Sequence, residues 1–364
     1  MGLDALVVTA PSDLRYLVGY PGISALGPNP FCAGPAAALV ILSGGEATLC
    51  AGEPDLALAG TPVDSVGPLA IDEYQTFASA EPLAPRVRLV ESLARALGAV
   101  RVVGFQPASL PANVQPLVEE RAPGITWRDA GEVVSTLRMR KSPAELAMIR
   151  RAIAVCDAGQ AVVADLARES ATQGQLYAAL RAYVYSEAGA PVPCILEASL
   201  GPPPEGVPDG PDREVRASDL VLTDIAPRVG AYWGDSCNTQ TLDPPSDEQT
   251  AMLATVRDTL ARATEAVRPG LRVADLDRLL RDGIARRYPS FTGGGGHGIG
   301  LDFQESPRLV PRETATLAEG MVMAMEPAIY LPDAAVRLEH VVAVTGDGCE
   351  VLSGHLRNGN GLGH

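Results

Sequence analysis

The stretch that most constrains this chain is Leu220–Thr241, LVLTDIAPRVGAYWGDSCNTQT. Period-two alternation predicts two strands, Leu220–Ile225 and Ala231–Cys237, joined by a Pro227-Arg228-Val229-Gly230 turn. A two-residue loop at Val229-Gly230 would set Asp224 directly opposite Asp235. Opposed side chains lie about 5 Å apart, where like charges destabilise the pair. The apolar neighbours Leu222, Tyr232 and Trp233 predict a mostly buried hairpin, in which unpaired carboxylates are costly. Arg228 belongs to the turn, so a metal ion is the natural counter-charge. Taken alone, two solvated aspartates on an exposed hairpin explain the pattern better, because two acids ten residues apart are a weak signal.

The chain then repeats the device. In MVMAMEPAIYLPDAAVRLEHVVAV, strands Met321–Tyr330 and Val336–Val344 flank a Leu331-Pro332-Asp333-Ala334 turn. Centring that hairpin on Pro332-Asp333 places Glu326 opposite Glu339. Between the two hairpins, Gly293–Gly296 allow close backbone approach just before His297. Four carboxylates and one imidazole from separate strands suit a cage for two divalent cations, whose charge they match.

Asp224, Asp235, His297, Glu326 and Glu339 resemble the ligand set of the "pita-bread" metallopeptidases, a family that includes methionine aminopeptidase, Xaa-Pro aminopeptidase and prolidase. The phrases GHGIGLD (296–302), EGMVMAMEPAIY (319–330) and VRLE (336–339) are similar to that family's sequences and occur in its order. The two-domain layout and VRLE point to the prolidase and Xaa-Pro aminopeptidase branch. The resemblance implies that Asp224 chelates one metal, that Asp235 and Glu339 bridge both, and that His297 and Glu326 hold the other. It further implies a metal-bridging hydroxide that attacks the scissile carbonyl, with Glu326 accepting the proton. Tyr330 and Arg337 match pocket residues. Arg337 is a candidate for orienting the site or a substrate carboxylate; balancing excess negative charge is the competing role. Oxygen-rich ligation with one histidine suits Mn²⁺, with Co²⁺ or Zn²⁺ as alternatives.

A chain of 364 residues suggests two domains. The expected class is α/β (α+β): a creatinase-like N-terminal α/β domain over residues 1–138, and a pita-bread catalytic domain with pseudo-twofold symmetry over 139–358. The opening DALVVTAPSDLRYLVGY is similar to the non-catalytic N-terminal domain of creatinase and prolidase relatives. The second domain opens at Ser142-Pro143-Ala144-Glu145, a capping box with proline at the first helical position. From there the pattern runs helix-helix, hairpin, helix-helix, hairpin. A net charge of −15 argues against nucleic acid or an anionic membrane as partner. Residues 16–45 carry no charge, but four prolines and six glycines read as loop and buried strand, not a membrane span. No basic leader opens the chain, and six scattered cysteines without a CxxC pair read as thiols in a reducing cytoplasm. Relatives with this N-terminal domain are commonly homodimers, and the uncharged 16–45 segment could supply an apolar contact.

Two departures from the family pattern bear on substrate. Gln304 stands seven residues after His297 where a histidine is usual, and Asp209 stands in Pro208-Asp209-Gly210 where Pro-His-Gly is usual. Both histidines serve the substrate and the developing oxyanion, and losing such a donor costs about 3 kcal/mol in the barrier. Gln304 can still donate one hydrogen bond; an ionised Asp209 cannot. The expected activity is release of the N-terminal residue from Xaa-Pro dipeptides or short peptides. Hydrolysis of another small-molecule C–N bond is the first alternative, and a non-catalytic binding protein the second.

Overall fold

A computed structural model of the chain describes residues 2–20, 37–52, 65–69, 84–201, 212–289, 295–331 and 334–356. Asp209, the Pro332-Asp333 turn and most of the uncharged 16–45 segment lie outside these residues. The chain divides into two compact units, Met1–Leu137 and Arg138–His364.

The first unit is built on a six-stranded sheet. Its strands β1 (Ala5–Val8), β2 (Ala37–Leu42), β3 (Ala47–Gly52), β4 (Ser65–Leu69), β5 (Val102–Phe105) and β6 (Thr126–Asp129) are ordered β4-β3-β2-β1-β5-β6. Alternation along β2 sends Ala38 and Val40 to the face covered by helix α2 (Ala84–Leu97), where Leu89, Val90 and Leu93 are buried. Ala37 and Leu39 face the other way, onto Leu14 and Val18 of helix α1 (Pro11–Val18). Helices α3 (Val114–Arg121) and α4 (Gly131–Arg138) follow in the chain.

The second unit carries the carboxylate hairpins. Helix α5 (Pro143–Glu169) starts where the capping box predicts: Ser142 N–H donates to Glu145 Oε2 at 2.8 Å, and Glu145 N–H to Ser142 Oγ at 3.3 Å. Helix α6 (Gln173–Ala188) follows, then strands β7 (Cys194–Leu200), β8 (Leu220–Val229), β9 (Tyr232–Trp233) and β10 (Cys237–Thr241). These form an antiparallel sheet of order β10-β8-β7, with β9 also on β8. Helices α7 (Asp247–Ala266) and α8 (Val273–Ala285) lead into the second half. There β11 (Gly296–Gly298), β12 (Glu305–Arg308), β13 (Val322–Met325), β16 (His340–Val344) and β17 (Cys349–Val351) make a sheet of order β12-β11-β13-β16-β17. A two-stranded ribbon, β14 (Ala328–Tyr330) with β15 (Ala335–Arg337), continues the β13/β16 pairing.

Helix α5 serves both halves. Ala152, Val155 and Val163 pack with the first sheet, while Ile149 and Ile153 pack with Val322, Ala324 and Val341 of the second. Helices α7 and α8 cover the second sheet through Met252, Val256, Leu276 and Leu280. Each half is thus a helix pair laid on an antiparallel sheet, the pita-bread arrangement that the resemblance implies.

The first hairpin corrects the expected register. The turn is Gly230-Ala231, not Val229-Gly230, and Val229 pairs with Tyr232. Both turn residues have positive φ, +58° and +92°. Two-residue hairpin turns require this, and a β-branched valine pays heavily for it, so Val229 stays in the strand. In consequence Asp224 pairs with Cys237, and Asp235 moves to a diagonal position on the same face.

Candidate metal centre

The centre forms where the two hairpins dock. The Thr239 hydroxyl accepts from Arg337 N–H at 3.0 Å and faces Arg337 C=O at 3.0 Å. Glu339 N–H donates to Cys237 C=O at 3.0 Å, and His355 Nε2–H donates to the same carbonyl at 3.3 Å. From behind, buried Gln160 of α5 stitches the first hairpin. It donates to Thr223 C=O at 3.3 Å and Ser236 C=O at 3.2 Å, and accepts from the Thr223 hydroxyl at 2.9 Å. Gly234 lets the chain lie against this helix, since a Cβ there would sit 2.6 Å from the Ala152 carbonyl carbon.

This docking gathers Asp224, Asp235 and Glu339, which offer one carboxylate oxygen each, all within 4.8 Å of one another. His297 Nε2 lies 3.5 Å from Asp235 Oδ2 and 3.7 Å from Glu326 Oε1. His297 Nδ1–H donates to Gly298 C=O at 2.9 Å, which leaves the Nε2 lone pair facing the carboxylates. The backbone can make this approach because Gly296 has φ +135°, and a Cβ there would meet the Ala324 carbonyl oxygen at 1.9 Å.

The electrostatics call for a cation. Burial, opposed by Arg337, pushes the Asp224 carboxyl up to about 6, and burial pushes Glu326 up to about 7. Burial, reinforced by neighbouring carboxylates, raises Asp235 and Glu339 well above the usual range. Burial also lowers His297, which favours the neutral, ligating imidazole. Asp224 Oδ1, Asp235 Oδ1 and both Glu339 oxygens are buried without a hydrogen-bond partner. Orphaned carboxylate oxygens beside a neutral imidazole are the donor set that divalent cations take, so these residues fit metal binding.

A cleft of about 260 Å³ opens onto the centre, lined among others by His297, Gln304, Arg308, Glu326, Tyr330 and Arg337. Gln304 is thus brought to the cleft, where its Oε1 accepts from Arg308 Nη1 at 2.9 Å. Arg337 is held inside the protein, with Nη2 at 2.8 Å from Asp224 Oδ2 and 2.7 Å from Glu197 Oε2. The charge-balancing role set against substrate binding is the one this geometry displays.

Sequence reasoning missed Glu197, Arg308 and Gln160. It also missed a buried ion cluster beside the cleft, in which Glu305 meets Arg138 and, at 3.1 Å, Lys141. Burial raises Glu305, but Lys141 and Arg138 outweigh it and hold the carboxylate below its ordinary value.

Fold and centre together define a two-domain metallopeptidase. The family model "Metallopeptidase family M24" matches residues 147–346, and "Creatinase/Prolidase N-terminal domain" matches 1–140. The chain belongs to metallopeptidase family M24 and is a peptidase of the prolidase branch. It is 29% identical over 363 residues to the probable dipeptidase PepE of Mycobacterium tuberculosis, covering 95% of this chain and 89% of that one. It is 30% identical over 238 residues to the Xaa-Pro dipeptidase of Pyrococcus furiosus, covering 62% of this chain and 66% of the other. The crystal structure of dipeptidase PepE from Mycobacterium ulcerans superposes with a TM-score of 0.77 at 27% identity, over 97% of this chain and 91% of that chain.

Proposed function

We propose that this chain releases the N-terminal residue from Xaa-Pro dipeptides or short peptides, using two divalent cations held by Asp224, Asp235, His297, Glu326 and Glu339. One observation carries the reading: four buried or half-buried carboxylates and one aimed imidazole nitrogen converge beneath an open cleft. Divalent cations bound there supply the Lewis acid that polarises a peptide carbonyl and activates water. Glu326 is 22% exposed and faces the cleft, which places it to accept the proton of an attacking water. His297, fixed by Gly298, orients the centre, and Tyr330 borders the space for the substrate. Similarity to the Xaa-Pro dipeptidase of Pyrococcus furiosus supports the Xaa-Pro preference.

Mn²⁺ is the proposed native metal, on the grounds of oxygen-rich ligation with one histidine. The buried free thiols Cys50, Cys156 and Cys237 support a reducing, cytoplasmic setting. A homodimer is proposed from the uncharged 16–45 segment, and light scattering at micromolar concentration tests it. Among the described residues, no helix is long and apolar enough to cross a membrane.

The deciding experiment assays the Mn²⁺- and Co²⁺-loaded protein on a panel of Xaa-Pro and Xaa-Ala dipeptides. Free proline should be released, with Xaa-Ala cleaved far more slowly. Saturable metal binding without Xaa-Pro cleavage under any metal would overturn the substrate assignment. It would favour the alternative C–N hydrolase, toward which the commitment of Gln304 to Arg308 already leans.

A further inference from the structure

Arg337 stands in the cleft where a forked cation could grip a ligand's carboxylate, yet its donors are already spent. Strand register explains why. On the first sheet Glu197 of β7 pairs with Asp224 of β8, which pairs on its other side with Cys237 of β10. The three side chains form one row, and Arg337 meets all of them. Its Nη2 donates to Glu197 Oε2 at 2.7 Å and Asp224 Oδ2 at 2.8 Å, its Nε to Cys237 Sγ at 2.9 Å, and its Nη1 to the Tyr330 hydroxyl at 2.8 Å. A guanidinium has five N–H donors, and a bidentate grip needs two parallel ones on the same edge. Only one Nη1 hydrogen remains, so no edge is open.

Asp224 belongs to the close carboxylate group, but Glu197 does not. The Glu197 side chain is 38% exposed, against 14% for Asp224. Its second oxygen accepts from Ser199 Oγ at 3.0 Å, which fixes it toward Arg337. Asp224 is therefore required by the centre, whereas Glu197 answers only to the arginine.

We propose that Glu197 is a specificity-determining residue. A carboxylate built into β7 takes the place on Arg337 that a ligand's free carboxylate would otherwise fill. The cleft thereby favours substrates whose chain continues past proline, or is capped, over free dipeptides. This rests on the Xaa-Pro reading and refines it.

The test compares wild type with Glu197→Gln, which keeps shape and removes charge, and with Glu197→Ala, which opens the Nη2 edge. Two ligand pairs are used with the metal-loaded protein: Gly-Pro against Gly-Pro-amide in turnover, and proline against prolinamide in calorimetric binding. Wild type should prefer the amide of each pair. Glu197→Ala should lower KM for Gly-Pro and Kd for proline at least about tenfold, the scale of one charge-assisted hydrogen bond, with the amides unchanged within about twofold; Glu197→Gln, whose amide oxygen still accepts from Nη2, should fall between wild type and Glu197→Ala. Unchanged carboxylate binding, or equal changes for acid and amide, would overturn the proposal. The binding pair needs no turnover. Failure to cleave either peptide therefore strikes the Xaa-Pro reading, while proline against prolinamide still decides the role of Glu197.

Discussion

Removing the charge of Asp235 should stabilise the metal-free protein while destroying what metal does for it. Asp235 is buried and shares a 4.8 Å neighbourhood with Asp224 and Glu339. Two unit charges at that separation repel by about 3.5 kcal/mol at an effective dielectric near 20. The Asp235 carboxyl is itself held well above the usual range, first by burial and then by Glu339 and Asp224, which is the same repulsion seen from the other side. Asp235→Asn should therefore raise the stability of the metal-free protein by about 2–3 kcal/mol near neutral pH. The sign with pH follows from carboxylates whose folded values are raised. Their penalty is absent below the unfolded value near 3.8 and builds as pH rises from there toward the raised folded value. The advantage of the variant should accordingly vanish near pH 4. With saturating Mn²⁺ the order inverts, because wild type gains about 4 kcal/mol at a thousandfold excess over Kd and the variant loses most of this. Urea unfolding in EDTA and in excess Mn²⁺, across the pH range, measures all three. A metal-free variant less stable than wild type, or an advantage independent of pH, would refute the reasoning.

Glu305→Gln leaves Arg138 and Lys141 buried against a neutral amide, and should cost about 3–5 kcal/mol in urea unfolding. Because Glu305 is held below its ordinary value, wild type should lose this contribution as pH falls through the glutamate range. Gln160→Ala unpairs the Thr223 hydroxyl and loosens β8 from β10; a loss of about 1–3 kcal/mol and weaker Mn²⁺ binding by calorimetry are expected. Gln304→His should leave Mn²⁺ affinity unchanged and raise kcat on Xaa-Pro substrates by up to about a hundredfold. Identical kinetics would place residue 304 outside the chemistry.

The second hairpin was legible to the residue. Ala328 pairs with Arg337 and Tyr330 with Ala335, the register that a turn centred on Pro332-Asp333 requires. The capped start of α5 was legible too, because Ser142 bonds three residues on. The first hairpin slipped by one residue because the loop was set at Val229-Gly230, and positive φ at Gly230 and Ala231 decided otherwise. Gln160, Glu197 and the Glu305 cluster stayed hidden for another reason. Each acts across 60 or more residues of chain, and no local pattern encodes such a partner. Arg337 was visible as a cation, but only the register of three strands revealed that its donors were taken.

The bonds from Thr239 and Cys237 to the Arg337–Glu339 segment join parts of the chain about a hundred residues apart. During synthesis the first hairpin must leave the ribosome with Asp224 and Asp235 lacking their carboxylate and imidazole companions. A nascent chain at that stage has nothing to hold a cation tightly, so it cannot be trapped early around a wrong metal. Ion selection is deferred until Glu339 has been translated and docked.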